Sequence, residues 1–347
     1  MHVLCIQKDF GVTDISLHQN RKRCSMTQII ELSTPGGVKN LSLISRDPGV
    51  PGPAEIRLRQ TGVGVNFIDI YQRKGIYPLP MPAVLGVEGA GVVEAIGADV
   101  THVTVGDRVA YAGIVGGYAE ARILPAWRAV KLPDNLSDAL AASSLLRACT
   151  AHMLLCKVHE ITPGTTILIH AGAGGLASIV IPWAKRLGAK IIATAGTESK
   201  AERALAHGAE KVIVGRDAKI AKEVRDWTDG RGVDFTIDGI GEPTFRASLE
   251  ATAKFGTFAS VGQAGGGLKS LSAKDFGPQR SLAFHTPSVM AYLADPVRYE
   301  AVAKEAIEAL QAGAPTSQGP QFPLSDASAA QSSLENGTTT GTPLLVI

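Results

Sequence analysis

Along residues 26–146 the apolar positions come in short, partly β-branched runs separated by glycine and proline, as in AEIRLRQTGVGV, GVVEAIG and GDRVAY. Alternation over such lengths predicts half-buried strands, so this stretch is expected to be all-β. From 147 to 283 the pattern changes. Apolar runs such as TTILIHA, KIIATAG, EKVIVG and VDFTIDGIG alternate with helical periods such as ASIVIPWAKRLG, KAERALAHG and AKEVRDWTDG. Strand–helix–strand alternation at this spacing predicts an α/β, doubly wound parallel sheet with helices on both faces. The remaining segment, 284–347, contains a helix with Asp295 as N-cap and Pro296 at its first position, running to about Gly313. A shorter helix follows near Ser325, then a final strand, PLLVI. Internal repeats and low-complexity tracts are missing.

One stretch resembles a membrane span by hydropathy. Residues 163–184 contain no Asp, Glu, Lys or Arg, but they hold four glycines and the prolines Pro163 and Pro182. They read as strand, turn and buried helix instead, and no transmembrane segment is expected.

With 347 residues, 45% hydrophobic and 19% charged, the chain is an ordinary globular sequence of about two domains. Its net charge of +2 resides in the first 25 residues, where Lys8, Arg21, Lys22 and Arg23 outnumber Asp9 and Asp14. Residues 1–25 lack a secretory h-region and read as a disordered extension ahead of a domain that begins near Met26. A balanced body with 5% aromatic residues argues against dedicated nucleic-acid binding. Cys5, Cys24, Cys149 and Cys156 form no CxxC pair, so they read as buried free thiols of a cytoplasmic protein.

The strand TTILIHA runs into Ala171-Gly172-Ala173-Gly174-Gly175-Leu176-Ala177 and then a helix. Gly172, Gly174 and Ala177 fit the dinucleotide fingerprint: a tight turn, a backbone that approaches a diphosphate, and close helix–strand packing. The helix N-terminus then offers free N–H groups to the phosphates. The second strand ends in ATAGTESK, with no carboxylate for a ribose 2′-hydroxyl. Lys200 and Arg216 are placed to pair with a 2′-phosphate and Thr197 to hydrogen-bond it, against the nearby Glu198 and Glu202. NADPH is therefore the expected cofactor.

Residues 86–97, GVEGAGVVEAIG, carry Gly86, Glu88, Gly91 and Gly97 in a spacing that resembles the medium-chain dehydrogenase/reductase signature. In its zinc alcohol dehydrogenases a histidine ligand stands where this chain has Val87, and a cysteine ligand where it reads Asn66-Phe67-Ile68-Asp69. No metal is expected. GVNFIDIYQRKGIYPLPMPAVLGVEGAG (64–91), HAGAGGLA (170–177) and WAKRLGAKIIATAGTESK (183–200) resemble the zinc-free NADPH:quinone oxidoreductases, the zeta-crystallin-like family. The similarity runs from about Met26 to Ile347.

That resemblance implies a GroES-like β-rich substrate domain, 26–146 with 284–347, around an inserted Rossmann NADP(H)-binding domain, 147–283. It also implies a homodimer acting on a small quinone. Carried over by position, Asn66, Phe67 and Tyr71 border the nicotinamide, with Tyr71 and Tyr77 facing the quinone. Thr150 and Gly174-Gly175-Leu176 hold the phosphates, and Gly196, Thr197, Lys200 and Arg216 take the adenosine side. Val261-Gly262-Gln263 with Thr286 and Ser288 flank the nicotinamide. Asn66, Tyr71 and Tyr77 are the expected catalytic residues, positioning nicotinamide and acceptor carbonyl for hydride transfer. Asp69 is expected to cap a helix start and His170 to be a satisfied core histidine. The chain departs from the family at Gly215, His152, Gly239, Gly337 and Pro182. An alkenal or enone reductase, or a dinucleotide-binding protein with little turnover, are the alternatives.

Overall fold

The computed structural model describes residues 26–312, 318–339 and 341–347, so the expected extension at 1–25 lies outside the described residues. Two large sheets organise the chain. The first is β-rich and mainly antiparallel, in the order 318–323, 342–346, 55–64, 88–96, 108–112 and 130–131, with 121–125 also paired to 55–64. The C-terminal strand Thr342–Val346 therefore lies beside Glu55–Gly64, with Leu344 opposite Gly64. A small sheet of 41–46, 27–32 and 83–84 stands beside it. Alternation along Glu55–Gly64 sends Ile56 and Leu58 into a core with Val93, Val109 and Leu124, while Arg57 and Arg59 face outward to Glu94.

The second sheet is wholly parallel. Its strands in chain order are Thr166–Ile169, Lys190–Ala195, Lys211–Val214, Val233–Asp238, Thr252–Ser260 and Ala283–His285. In space they run third, second, first, fourth, fifth, sixth. Both faces are covered. Ile167, Ile169 and Ile191 enter the largest core cluster, while Leu168, Ile192 and Ile213 enter a separate one on the other face. The sixth strand reaches His285, past the expected limit at 283. The largest cluster also takes in Val87 and Ala110 of the first sheet and Tyr299 and Val302 of the long C-terminal helix. One core thus joins the two sheets.

Several local signals act as expected. The helix Pro296–Gln311 begins at Asp295, whose carboxylate accepts from Arg298 N at 2.8 Å. Pro182 sits inside the helix Ala177–Arg186. The all-β reading of 26–146 needs correction, because Phe67–Arg73 and Asp138–Ala142 are helices. Both are too short to express a helical period. Asn66 caps the first, and Asp69 accepts from Asn66 N at 2.9 Å, which is the capping role expected of that carboxylate. Cys149 is buried and free, but Cys156 is exposed, contrary to the expectation of burial. No described helix is long and apolar enough to cross a membrane.

Candidate functional site

The parallel sheet reverses strand order between Thr166–Ile169 and Val233–Asp238, which opens a crevice at the carboxyl ends. The fingerprint turn leaves the first of these strands. Gly172 N donates to Thr194 O at 2.8 Å, and Gly174 N to Ala171 O at 2.7 Å. A Cβ on Gly172 would stand 2.6 Å from Ala193 Cβ and 2.8 Å from Ala204 Cβ, so only glycine lets the turn pack on the second strand and its helix. The turn after the fourth strand is held by Asp238, which accepts from Ile240 N at 2.8 Å and from the Thr244 hydroxyl. His170 is the satisfied core histidine it was expected to be. Its ring nitrogens meet Thr194 Oγ1 at 3.1 Å and Ser248 Oγ at 2.7 Å, and burial lowers its pKa.

The residues expected on the adenosine side follow the second and third strands. Thr197 caps the helix Glu198–His207 by accepting from Lys200 N at 3.3 Å. The Lys200 ammonium reaches Gly337 O at 3.4 Å. Arg216 is exposed beyond the neighbouring strand, where Gly215 N donates to Ala195 O at 2.9 Å. Among the described residues, no heavy atom beyond the chain neighbours stands within 4 Å of a Cβ placed on Gly196 or Gly215. Thr150 donates its hydroxyl to Leu146 O at 2.8 Å, and Ser288 caps a short helix by accepting from Ala291 N. Thr286 follows the sixth strand and is exposed. His152, one of the departures from the family, has its ring nitrogens on Tyr292 at 3.2 Å and Glu305 at 3.2 Å.

The β-rich part supplies the facing wall. Tyr71 is nearly buried, and its hydroxyl accepts from Gln263 N at 2.9 Å, which ties the capped helix to the loop after the fifth strand. Val261 and Gly262 precede Gln263 in that loop; a Cβ on Gly262 would lie 3.1 Å from Gly239 O. The Phe67 and Tyr71 rings lie 6.1 Å apart, and exposed Tyr77 meets Tyr71 edge-on at 5.4 Å. Burial raises the Tyr71 phenol, which keeps it protonated. Since Gln263 supplies the proton of their shared bond, the Tyr71 hydroxyl hydrogen is left to donate elsewhere.

Behind Asn66 lies a buried polar group. Its Nδ2 donates to Glu88 Oε1 at 2.8 Å, Glu88 Oε2 accepts from Leu146 N at 2.8 Å, and an Arg147 nitrogen stands 3.5 Å from Glu88 Oε1. Burial raises the Glu88 carboxyl, and Arg147 opposes that shift. Asp69 accepts from the Tyr118 hydroxyl at 3.0 Å and leaves Oδ1 buried without a hydrogen-bond partner. Burial pushes its pKa up to about 7.

Sequence reasoning missed Arg147, Glu88 as a site residue, and Thr342. Arg147 is the one charged residue, histidine aside, between Asp138 and Lys157, and a lone cation in so apolar a run was the available signal. The crevice suits a dinucleotide: glycine turns, open space at Gly196 and Gly215, and the buried, unpartnered Thr342 hydroxyl. It does not suit zinc. Val87 is fully buried in the apolar core, Glu88 is already committed, and no metal-binding group of three His, Cys, Asp or Glu occurs among the described residues.

Residues 52–134 match the alcohol dehydrogenase GroES-like domain and 175–310 the zinc-binding dehydrogenase family. The chain is 36% identical to a quinone oxidoreductase of Pseudomonas aeruginosa over 92% of its own length and all of that protein. It is 37% identical to a 2-haloacrylate reductase of Burkholderia sp, covering 90% of this chain and 96% of the other. Among solved structures, Escherichia coli quinone oxidoreductase complexed with NADPH superposes with a TM-score of 0.88 at 34% identity, covering 92% of this chain and 100% of that one.

Proposed function

The chain belongs to the quinone oxidoreductase family, and on that premise we propose that it passes hydride from NADPH to small quinones in a metal-free cleft. The observation that carries this reading is the junction of Tyr71 with Gln263, which sets a phenol donor over the crevice at the carboxyl ends of the parallel strands. Bound there, NADPH supplies a hydride, and the quinone takes up that hydride and one proton to become a hydroquinone.

Gly174, Gly175 and Leu176 would receive the diphosphate, with Thr150 on the adjoining helix. Gly196, Thr197, Lys200 and Arg216 would hold the 2′-phosphate end, and a lysine–arginine pair there suits NADPH over NADH. Val261, Gly262, Gln263, Thr286 and Ser288 would bound the nicotinamide with Asn66, Phe67 and Tyr71. As hydride reaches the quinone ring, negative charge collects on a carbonyl oxygen. The free Tyr71 hydrogen and the remaining Asn66 amide hydrogen would stabilise it, with Glu88 fixing the amide. Exposed Tyr77 would line the outer part of the acceptor pocket.

The 2-haloacrylate reductase relative supports a second reading, reduction of an activated alkene on the same scaffold. The same donors would polarise a conjugated carbonyl or carboxylate. A panel of quinones, enones and 2-haloacrylates followed by NADPH oxidation separates the two; turnover with alkenes alone would displace the quinone reading. Metal analysis of the active protein should find no stoichiometric zinc.

The proposed organisation keeps a substrate domain of 26–146 with 284–347 and a cofactor domain of 147–283, whose sixth parallel strand runs on to His285. The sixth parallel strand, Ala283–His285, pairs on one side only among the described strands, and that open edge supports a homodimer, testable by light scattering. The free thiols Cys149 and Cys156 suit the cytoplasm.

A further inference from the structure

The fingerprint turn lacks a cation of its own. No lysine or arginine occurs between Lys157 and Lys185, although a dinucleotide diphosphate carries two negative charges. The helix that follows offers only the partial positive charge of its N-terminus. A full charge arrives from outside the parallel sheet. Arg147, on the helix Leu145–His152, is largely buried, and its Nη1 lies 2.4 Å from where a Cβ on Gly175 would stand. Glycine at 175 is therefore what lets the guanidinium reach the turn.

Thr342, at the start of the last strand of the β-rich sheet, approaches the same point. Its Oγ1 lies 3.2 Å from that Cβ position and is buried without a hydrogen-bond partner. A buried hydroxyl left unpaired is unfavourable, and an acceptor oxygen at the turn would satisfy it. Arg147 is held from behind by Glu88, at 3.5 Å, and by the Ser143 carbonyl.

We propose that Arg147 and Thr342 form an anion anchor for the dinucleotide diphosphate, reaching the Gly174–Leu176 turn from outside the parallel sheet, with Glu88 as the brace. The inference rests on the NADPH reading above and adds to it the residues that clamp the phosphates. Glu88 also holds Asn66, so one carboxylate braces both the phosphate anchor and the nicotinamide-side amide. The anchor is a delocalised positive charge with a planar fork of donors, suited to a phosphate and indifferent to the base or the acceptor.

The test compares three ligands by calorimetry: NADPH, 2′-phospho-ADP-ribose, which has the diphosphate without nicotinamide, and adenosine 2′-monophosphate, which has neither. Arg147→Met alone would strand a buried Glu88, so it is made together with Glu88→Gln, removing both charges. The double variant should weaken NADPH and 2′-phospho-ADP-ribose about 10- to 100-fold, the loss expected for a charged hydrogen bond, and leave adenosine 2′-monophosphate within about threefold. Thr342→Val, which keeps the side-chain shape, should weaken the first two by about three- to tenfold and spare the third. Unchanged diphosphate affinity in both variants overturns the anchor, as does an equal loss on all three ligands, which would mean general collapse of the site. A wild-type protein that binds none of the three sinks the NADPH reading and the anchor with it.

Discussion

The Tyr71 hydroxyl accepts a hydrogen bond from Gln263 N at 2.9 Å, and the two residues stand 192 positions apart in the chain. This contact joins the helix that bears the candidate catalytic residues to the cofactor-side loop. Tyr71→Phe keeps the ring packing against Phe67 and Tyr77 and removes only the hydroxyl. Stability should fall by about 1 kcal/mol, a melting shift below about 3 °C. The catalytic loss should be larger, about 10- to 100-fold in kcat/KM for a quinone, because the donor to the developing oxyanion is lost as well. Steady-state kinetics beside a thermal melt reads both; a loss confined to stability would remove Tyr71 from the chemistry.

Lys200, proposed for the 2′-phosphate, has its ammonium against Gly337 O. Lys200→Glu should raise the Kd for NADPH by about 100-fold while changing that for NADH by less than about threefold. Fluorescence titration with both cofactors checks it. Equal losses would take Lys200 out of the 2′-phosphate site.

Asp69 gives a pH prediction. Burial raises its pKa to about 7, above the ordinary unfolded value near 3.9. The folded state therefore holds this proton more tightly than the unfolded one. Its favourable contribution is full below about pH 4 and is lost as pH rises through about 7. Asp69→Asn has no such titration, so the wild type should lose stability relative to the variant between about pH 5 and about pH 8. Urea midpoints across that range measure the difference, and parallel profiles would contradict it.

Much of the architecture is written locally, and the cross-sheet contacts are not. Gly172, Gly174 and Ala177 mark the dinucleotide turn because each answers a steric demand within a few residues. Asp295 and Pro296 mark a helix start for the same reason. Asp69 signalled a helix start but not the helix Phe67–Arg73 as a whole, because five of its seven residues are buried and these include the charged Asp69 and Arg73. Arg73 is buried because the Gly36 carbonyl and, from the helix Ala327–Glu335, Gln331 and Glu335 receive it. Arg147 stood out as a lone cation, but its setting was not legible for a similar reason: its neighbours, Glu88 and the Gly175 turn, come from separate sheets.

The tight turn can itself be tested. Gly172→Ala places a methyl within 2.8 Å of both Ala193 Cβ and Ala204 Cβ, neither of which can swing aside. Overpacking of this kind should destabilise the protein by about 1–3 kcal/mol and weaken NADPH binding by moving the turn. Denaturant unfolding and cofactor titration read the two effects. A variant as stable as the wild type would contradict tight packing of the strand and helix against Gly172.

Hydride transfer from NADPH to a quinone is read most directly from the decay of NADPH absorbance when the purified protein meets a simple benzoquinone or naphthoquinone under anaerobic conditions. One NADPH should be oxidised per quinone reduced, with NADPH strongly preferred over NADH. NADPH that binds but is not oxidised by any quinone would contradict it.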